Sequence, residues 1–136
     1  MDIRHLSSDA DRRLAVPILQ QLWTDTSPAE IMAWTAQEEY TLIGGFLEDE
    51  LVAVAGVRID DFLHHTRHAW LYDFVVNEPH RGEGYGTALL EYVEEWASSN
   101  ECDVIGLASP LAKSQVHQYY TARGYEQWGY ILEKEV

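Results

Sequence analysis

The spacing of apolar residues changes several times along the chain, and each change predicts a new element. Leu14, Ile18 and Leu22 have the spacing of one helix face. Short runs rich in β-branched and aromatic residues lie between the helical patterns and after them. We therefore predict helices at 9–24, 27–40, 85–98 and 113–122, and strands at 2–6, 41–47, 51–59, 69–76, 103–107, 125–127 and 129–135.

Local signals support several of these boundaries. Ser27 suits a helix N-cap, Pro28 the first helical position and Glu30 the first turn. The acidic residues 48–50 separate two β-rich runs and predict a hairpin. Strands that alternate with helices in this order predict an α/β fold, in which the helices pack on a mixed sheet.

One predicted strand is apolar at nearly every position. Residues 69–76 contain a single charged side chain, Asp73. A strand that is apolar on both faces is expected at the centre of a sheet that is covered on both sides. Because a buried carboxylate is costly, Asp73 needs hydrogen-bonding partners or a function.

A glycine-rich turn, Arg81-Gly82-Glu83-Gly84-Tyr85-Gly86, follows this strand and precedes a helix. Glycines tolerate positive φ and let a ligand approach the backbone. The amides of the turn and of the first helical turn then point at one place, where a pyrophosphate fits. The strictly alternating glycines differ from the dinucleotide fingerprint G-x-G-x-x-G, and no lysine follows them as in a P-loop.

The composition limits the classes of protein to which the chain can belong. A length of 136 residues predicts one domain over 1–136, and an apolar content of 46% favours a packed globule. Cys102 is the only cysteine, which excludes an internal disulfide and a cysteine-based metal site. The polar start of the chain and the lack of a long apolar run predict a cytoplasmic protein that does not span a membrane.

The formal net charge of −14 bears on the choice of partner. Such a charge repels nucleic acids and anionic membranes, and it attracts cationic ligands. Solubility alone also explains an acidic composition, and both explanations stay open at this point.

Residues 72–90 closely resemble the acetyl-CoA signature of the GNAT family of N-acetyltransferases. The family pattern is Arg or Gln-x-x-Gly-x-Gly or Ala after a central strand, and Arg81, Gly84 and Gly86 occupy its fixed positions. The resemblance implies acetyl-CoA as the cosubstrate, with its pyrophosphate on the turn and its pantetheine arm paired with the strand like an added strand. The cofactor-binding residues that it implies are Phe74, Val75, Val76, Arg81, Gly82, Glu83, Gly84, Tyr85, Gly86 and Thr87. Glu83 departs from the family, which often has a basic residue there.

Residues 116–125 resemble a second family element, a helix and turn of the pattern aromatic-Tyr-x-x-x-Gly-Phe, with Tyr125 in place of Phe. The tyrosine of this pattern, here Tyr120, often protonates the departing thiolate in the family. The resemblance therefore implies Tyr120 as a catalytic proton donor, and packing of the helix on the sheet is the other explanation for it. In the family's direct-attack mechanism, the amide of Val75 or Val76 is the expected oxyanion donor.

The base and the acceptor site are less closely specified. Some polyamine and aminoglycoside acetyltransferases of the family carry an acidic residue at the place of Asp73. Asp73 is thus a candidate catalytic residue that orients water or holds the substrate cation, and the capping of a buried backbone amide explains it equally well. His64, His65 and His68 are candidates for a loop at the substrate mouth or for zinc ligands, and we expect no metal.

Taken with the element order, the resemblance implies the α/β GNAT acyltransferase fold, with a mixed seven-stranded sheet and about four helices, splayed between strands 4 and 5. The expected function is transfer of the acetyl group of acetyl-CoA to a primary amine of a small cationic molecule, by direct attack in a ternary complex. The alternatives are acetylation of protein N-termini or lysines, and a non-catalytic sensor of acyl-CoA. We expect no nucleic acid or membrane partner. Family members often form homodimers, and the last strands, with Trp128 and Tyr130, are the candidate contact.

Overall fold

The computed structural model describes residues 1–62 and 66–136, which form two compact units, Met1–Gly106 and Leu107–Val136. The expectation of one domain over 1–136 stays a prediction. The elements in chain order are β1 (Asp2–His5), α1 (Asp9–Leu19), α2 (Pro28–Thr35), β2 (Tyr40–Leu47), β3 (Glu50–Phe62), β4 (Thr66–Val76), a 3₁₀ turn (Glu78–His80), α3 (Tyr85–Ser99), β5 (Val104–Leu107) and α4 (Ser114–Thr121).

The strands form one sheet in the order β1-β2-β3-β4-β5. Each of the first three neighbouring pairs is antiparallel, and the sheet as a whole is mixed. The 3₁₀ turn and α3 connect β4 to β5. The α/β class, the mixed sheet and the four helices are therefore confirmed for the described residues.

The expectation of seven strands is wrong, because the sheet has five. The two strands predicted at 125–127 and 129–135 are not formed, and those residues have no regular secondary structure. Alternating apolar residues favour an extended chain, but a strand exists only where its backbone groups pair with a neighbour. No such pairing is present for these residues in the part of the chain that the structure describes.

The helix starts follow the predicted signals, whereas two helix ends come early. Ser27 caps α2 in a capping box: its hydroxyl accepts a hydrogen bond from the Glu30 amide, and the Glu30 carboxylate accepts one from the Ser27 amide. Helix α1 ends at Leu19 instead of residue 24, and α2 ends at Thr35 instead of residue 40. None of the described helices has both the length and the apolar content that crossing a bilayer requires.

Helices cover both faces of β4. Val75 belongs to the apolar cluster that α1 and α2 form with the sheet. Phe74 and Val76, on the other face, lie against Gly86 at the start of α3. The prediction of a strand covered on both faces is thus confirmed within the first unit, whereas β4 is the fourth of five strands and not the central one.

A β-bulge divides β4 into two halves. Gly56 of β3 lies opposite Asp73, and the next residue of β3, Val57, lies opposite Leu71, so that Tyr72 is the extra residue. Tyr72 is exposed, while Leu71 and Asp73 on either side of it are buried. Because side chains alternate along a strand, Asp73 faces the same side of the sheet as Val75.

Gly56 leaves room for a side chain that crosses β3. A Cβ atom built on Gly56 would overlap the hydroxyl group of Tyr40. The Tyr40 side chain, from the first residue of β2, passes over this glycine and reaches Asp73 on β4. A glycine is therefore required here for a close approach of a side chain and not for a special backbone conformation.

Replacement of Gly56 by alanine should destabilise the first unit. The added methyl group displaces the Tyr40 side chain and breaks a hydrogen bond to a buried carboxylate, which should lower the free energy of unfolding by about 2–4 kcal/mol. Gly129→Ala is the matched control, since nothing lies within 4 Å of a Cβ atom at that position. Urea unfolding followed by circular dichroism measures both variants, and equal stabilities would contradict this account of Gly56.

Candidate active site

The turn after β4 presents the N-terminus of a helix. Gly82 and Gly84 have φ angles of 81° and 88°, in the left-handed region that glycine adopts without strain. No atom lies within 4 Å of a Cβ atom built on either residue, so the space in front of the turn is open. Gly84 is the N-cap of α3, and a glycine has no side chain with which to cap the helix. The start of a helix with such an N-cap suits an anion, because the helix dipole and the nearby amides are directed at it.

Gly86 has a different role from the two glycines before it. A Cβ atom at this position would lie 3.2 Å from Cγ2 of Val76 and 3.7 Å from the Phe74 ring. The missing side chain lets the first turn of α3 pack closely on the end of β4. As a result, the helix N-terminus lies beside the last residues of that strand.

Hydrogen bonds of the Arg81 side chain connect the turn to the end of β4 and to the loop after α1. Its Nε donates to the carbonyl oxygen of Val76 at 2.9 Å, and its Nη2 donates to Oε1 of Gln21 at 3.1 Å. Gln21 also accepts from the Glu78 amide and donates to Asn77 Oδ1 at 2.7 Å. The Arg81 side chain thus fixes the shape of the turn, and Gln21 ties the loop after α1 to the same place.

Glu83, the residue at which the sequence departs from the family pattern, also lies in the glycine turn. Its carboxylate accepts a hydrogen bond from the Tyr85 hydroxyl. Loss of solvent, the charge of Glu83 and this hydrogen bond raise the pKa of Tyr85 above its ordinary value. The Glu83 charge is therefore engaged by a neighbouring donor, which reduces the repulsion that it would exert on a phosphate.

Within the described part of the first unit, one edge of β4 beside the turn has no paired strand. The Asn77 amide donates to the Val52 carbonyl on β3. Because hydrogen-bonded pairs alternate in an antiparallel ladder, Val75 is the next residue whose backbone bonds to β3. The backbone groups of Phe74 and Val76 then point to the other edge, and the Val76 carbonyl does meet Arg81 there.

Strand β5 occupies only the first half of that edge. The Asp103 amide donates to the Arg67 carbonyl at 2.8 Å, and Gly106 lies against the Trp70 ring. Both contacts are on the N-terminal side of the bulge in β4. Among the described residues of the first unit, no strand is seen to pair with Phe74 and Val76. The splay between strands 4 and 5 stays a prediction.

Asp73 lies in the first unit with both carboxylate oxygens hydrogen-bonded. Oδ1 accepts from the Trp23 indole nitrogen and Oδ2 from the Tyr40 hydroxyl, each at 2.6 Å. The carboxyl group is only 4% exposed. Burial, the Asp73 charge and this hydrogen bond raise the pKa of Tyr40 far above its ordinary value, so the phenol stays protonated and remains a donor.

Tyr120 belongs to the second unit, on α4. Its ring makes edge-to-face contacts with Tyr119 and Tyr125, at centroid distances of 5.2 and 5.3 Å. Its carbonyl accepts from the amides of Arg123 and Tyr125, which closes the helix around Gly124 with a φ of 91°. Burial and, to a smaller extent, Tyr119 raise the pKa of Tyr120 to about 12.

The remaining candidates are the three histidines before β4 and at its start, and Cys102. His64 and His65 lie outside the described residues, and His68 is buried on β4 with its ring edge-to-face to Trp70. In the described part of the chain, no three His, Cys, Asp or Glu side chains could hold a metal ion. Burial raises the pKa of the Cys102 thiol, which disfavours the reactive thiolate.

The structure brings together more residues than the sequence indicated. The turn 81–87 and the end of β4 adjoin each other, as expected, and Asp73 precedes them on the same strand. Trp23, Tyr40 and Gln21 were missed, because contacts that span 33 to 60 residues leave no local pattern. The one signal for them was the lone charge in an apolar strand, which required partners of some kind.

Comparisons with known proteins agree with this geometry. The family model "Acetyltransferase (GNAT) family" matches residues 7–125. An uncharacterized N-acetyltransferase of Bacillus subtilis, YhdJ, is 27% identical over 98% of both chains. The aminoalkylphosphonate N-acetyltransferase of Salmonella typhimurium is 28% identical over 57% of this chain and 51% of its own length. The structure of an aminoglycoside N-acetyltransferase, AAC(6')-Iy, in complex with CoA has a TM-score of 0.86, with 15% identity, and covers 99% of this chain and 93% of its own.

The family model covers far more than half of the chain, and its range contains β4, the glycine turn and α4. The structural likeness independently shows the same fold. The chain therefore belongs to the acetyltransferase (GNAT) family and is an N-acetyltransferase.

Proposed function

We propose that the protein transfers the acetyl group of acetyl-CoA to a primary amine of a small cationic molecule, by direct attack in a ternary complex. The observation that carries the proposal is the N-terminus of α3 behind the open, left-handed glycines 82 and 84. The family of the chain and the small-amine acetyltransferases among its relatives support it.

In this proposal the cofactor is held by the turn and by the strand edge. The amides from Arg81 to Thr87 receive the pyrophosphate, whose charge is stabilised by the dipole of α3. The pantetheine arm has amide groups of its own, and it pairs with the backbone groups of Phe74 and Val76 that point to the open edge of β4. Val75 contributes through its place in the ladder, which holds that edge in position.

The strand edge also supplies the oxyanion donor. Attack of an amine on the thioester places negative charge on the carbonyl oxygen, and a backbone amide stabilises that charge. Of the two candidates, Val75 is paired with β3 by the alternation of the ladder. The amide of Val76 points to the open edge, and we assign the role of oxyanion donor to it.

Proton movements complete the reaction. The amine must attack in its neutral form, although a lysine-like amine has a pKa near about 10.4 and enters mostly as an ammonium ion. The ammonium ion loses one proton to solvent before it attacks. The departing thiolate takes a proton from Tyr120, the proposed donor, and the proton that the acetylated nitrogen releases restores the phenol through solvent. With a pKa of about 12, the Tyr120 phenol is protonated throughout the neutral range and can serve as that donor.

The charge of the protein favours a cationic acceptor. A net charge of −14 raises the local concentration of ammonium ions around the molecule. An aminoglycoside is polycationic, whereas an aminoalkylphosphonate carries an anionic phosphonate beside its amine. The named substrates of similar proteins therefore share the small-molecule amine, and the aminoglycoside is the one that also supports a cationic acceptor. Acetyl-CoA-dependent release of thiol with polyamines, aminoglycosides, amino acids and basic peptides tests this choice. Turnover with peptides alone would instead support acetylation of proteins.

Acetyl-CoA binding should depend on the glycine turn and not on backbone strain in general. Gly84→Ala places a methyl group in the open space of the proposed pyrophosphate site, and we expect the Kd for acetyl-CoA to rise about tenfold. Gly124→Ala is the matched control, since its φ of 91° imposes the same strain outside the turn. Isothermal titration calorimetry measures both, and an equal loss of affinity in the two variants would contradict the assignment.

Removal of the Tyr120 hydroxyl should slow turnover without weakening cofactor binding. We expect Tyr120→Phe to lower kcat at least tenfold while the Kd for acetyl-CoA stays within about twofold. Tyr119→Phe, which changes the neighbouring ring on α4, should retain most of the activity. A full rate in Tyr120→Phe would show that another group protonates the thiolate.

The pH profile offers a separate check on Tyr120. A phenol with an ordinary pKa near about 10 would lose its proton, and the rate would fall, as the pH passes that value. Because the pKa of Tyr120 is raised to about 12, its proton is kept to higher pH. We expect kcat with saturating amine to show no decline up to a pH of about 10.5, and a decline centred near about 9 would argue against this donor.

A further inference from the structure

The Asp73 carboxylate is a buried charge whose known partners are both neutral. It is 4% exposed, and none of the ion pairs among the described residues involves it. Its donors are the indole of Trp23 and the hydroxyl of Tyr40. Buried charges in proteins are usually paired, so this site retains an excess of negative charge behind two aromatic rings.

The Trp23 ring lies partly in solvent although its nitrogen is bound inward. The side chain is 49% exposed, while its N–H group donates to Asp73 at 2.6 Å. A hydrogen bond to a carboxylate holds one edge of the indole and increases the electron density of the ring. The negative face of an indole attracts cations, and the added electron density strengthens that attraction.

A second exposed indole, that of Trp34, packs against Tyr40, one of the two donors to Asp73. Trp34 is 45% exposed, and its ring stands edge-to-face to Tyr40 at a centroid distance of 6.3 Å. Tyr40 in turn donates to Asp73. Two half-exposed tryptophans are thus connected to one buried carboxylate, in a protein whose net charge is −14.

The loop after α1 places Trp23 next to the cofactor turn. Gln21, two residues before Trp23, bonds to Asn77, to the Glu78 amide and to Arg81. The loop therefore contacts β4 at Asp73 and the chain just beyond β4. A ligand on the Trp23 ring would lie beside the strand segment that leads into the turn.

We propose that Trp23 binds the cationic group of the acceptor with the face of its indole ring. Asp73 and Tyr40 are positioning residues in this arrangement, since they act through the ring that they hold. The ligand class is a small organic ammonium ion. The identification of this place as the acceptor site rests on the proposed function, whereas binding of an ammonium ion to Trp23 can be measured without turnover.

The test uses choline, which carries a quaternary ammonium group and has no nitrogen that can be acetylated. Its uncharged isostere, 3,3-dimethyl-1-butanol, has the same shape. Two-dimensional ¹H–¹⁵N spectra resolve the indole N–H signals of the five tryptophans, and Trp23→Phe identifies the Trp23 signal. We expect choline to shift this signal saturably and the alcohol to leave it in place. Equal shifts with the two probes would overturn the proposal.

Substitutions distinguish the Trp23 ring, which contacts the ligand, from the residues that hold this ring in place. Trp23→Leu should abolish the saturable binding of choline, measured by competition against acceptor turnover and by the signals of the remaining tryptophans. Asp73→Asn should move the Trp23 N–H signal upfield and raise the choline Kd at least threefold. Unchanged choline affinity in Trp23→Leu would overturn the proposal, and unchanged affinity and signal in Asp73→Asn would remove Asp73 from it.

Controls keep these outcomes interpretable. Trp128→Leu, a tryptophan change in the second unit, should leave choline binding unaltered. Should Asp73→Asn fail to fold, Tyr40→Phe carries the same test, because it deletes one donor and keeps the ring; an unaltered choline Kd there would count against the positioning role. Choline binding at Trp23 combined with no acetyl transfer to any amine would contradict the proposed function and leave this site intact.

Discussion

The hydrogen bonds of one buried carboxylate organise the first unit. Asp73 lies in the strand that leads to the cofactor turn, and its two donors come from the loop after α1 and from β2. Because an unpaired buried carboxylate would cost several kcal/mol, both donors stabilise the fold of the first unit. The glycine in β3 that the Tyr40 side chain crosses is a condition for one of these bonds.

The geometry of the site follows from how β4 is divided. Before the bulge, the strand is paired on both sides, with β3 and with β5. After the bulge, one edge is open, and the backbone groups of Phe74 and Val76 point to it. The same two side chains receive the first turn of α3 at Gly86. The strand therefore provides, within three residues, a packing surface for the helix and an edge for the ligand.

Local sequence patterns were sufficient for most elements and for the turn. The Ser27 cap, the hairpin at 48–50 and the glycine turn each depend on residues within one short segment, and each was predicted. The strands expected after Tyr125 were not formed, because alternation describes a segment but not its pairing partner. The same limit explains Trp23 and Tyr40, whose bonds to Asp73 depend on the tertiary fold. Tyr120 became a candidate proton donor only through the resemblance to a family, because no local pattern of residues indicates that role.

The glycine at the N-cap of α3 bears on the stability of the whole folded chain. A helix whose N-cap residue has no side chain leaves that end to solvent or to a ligand, and an anion bound there stabilises the helix. In the proposed function this anion is the coenzyme itself, so the coenzyme acts as a structural cap as well as a reactant. Substrate and product share the same pyrophosphate, and both therefore stabilise the folded chain by mass action. The thermal stability of the enzyme would then follow the cellular supply of coenzyme A, whether or not the coenzyme carries an acetyl group.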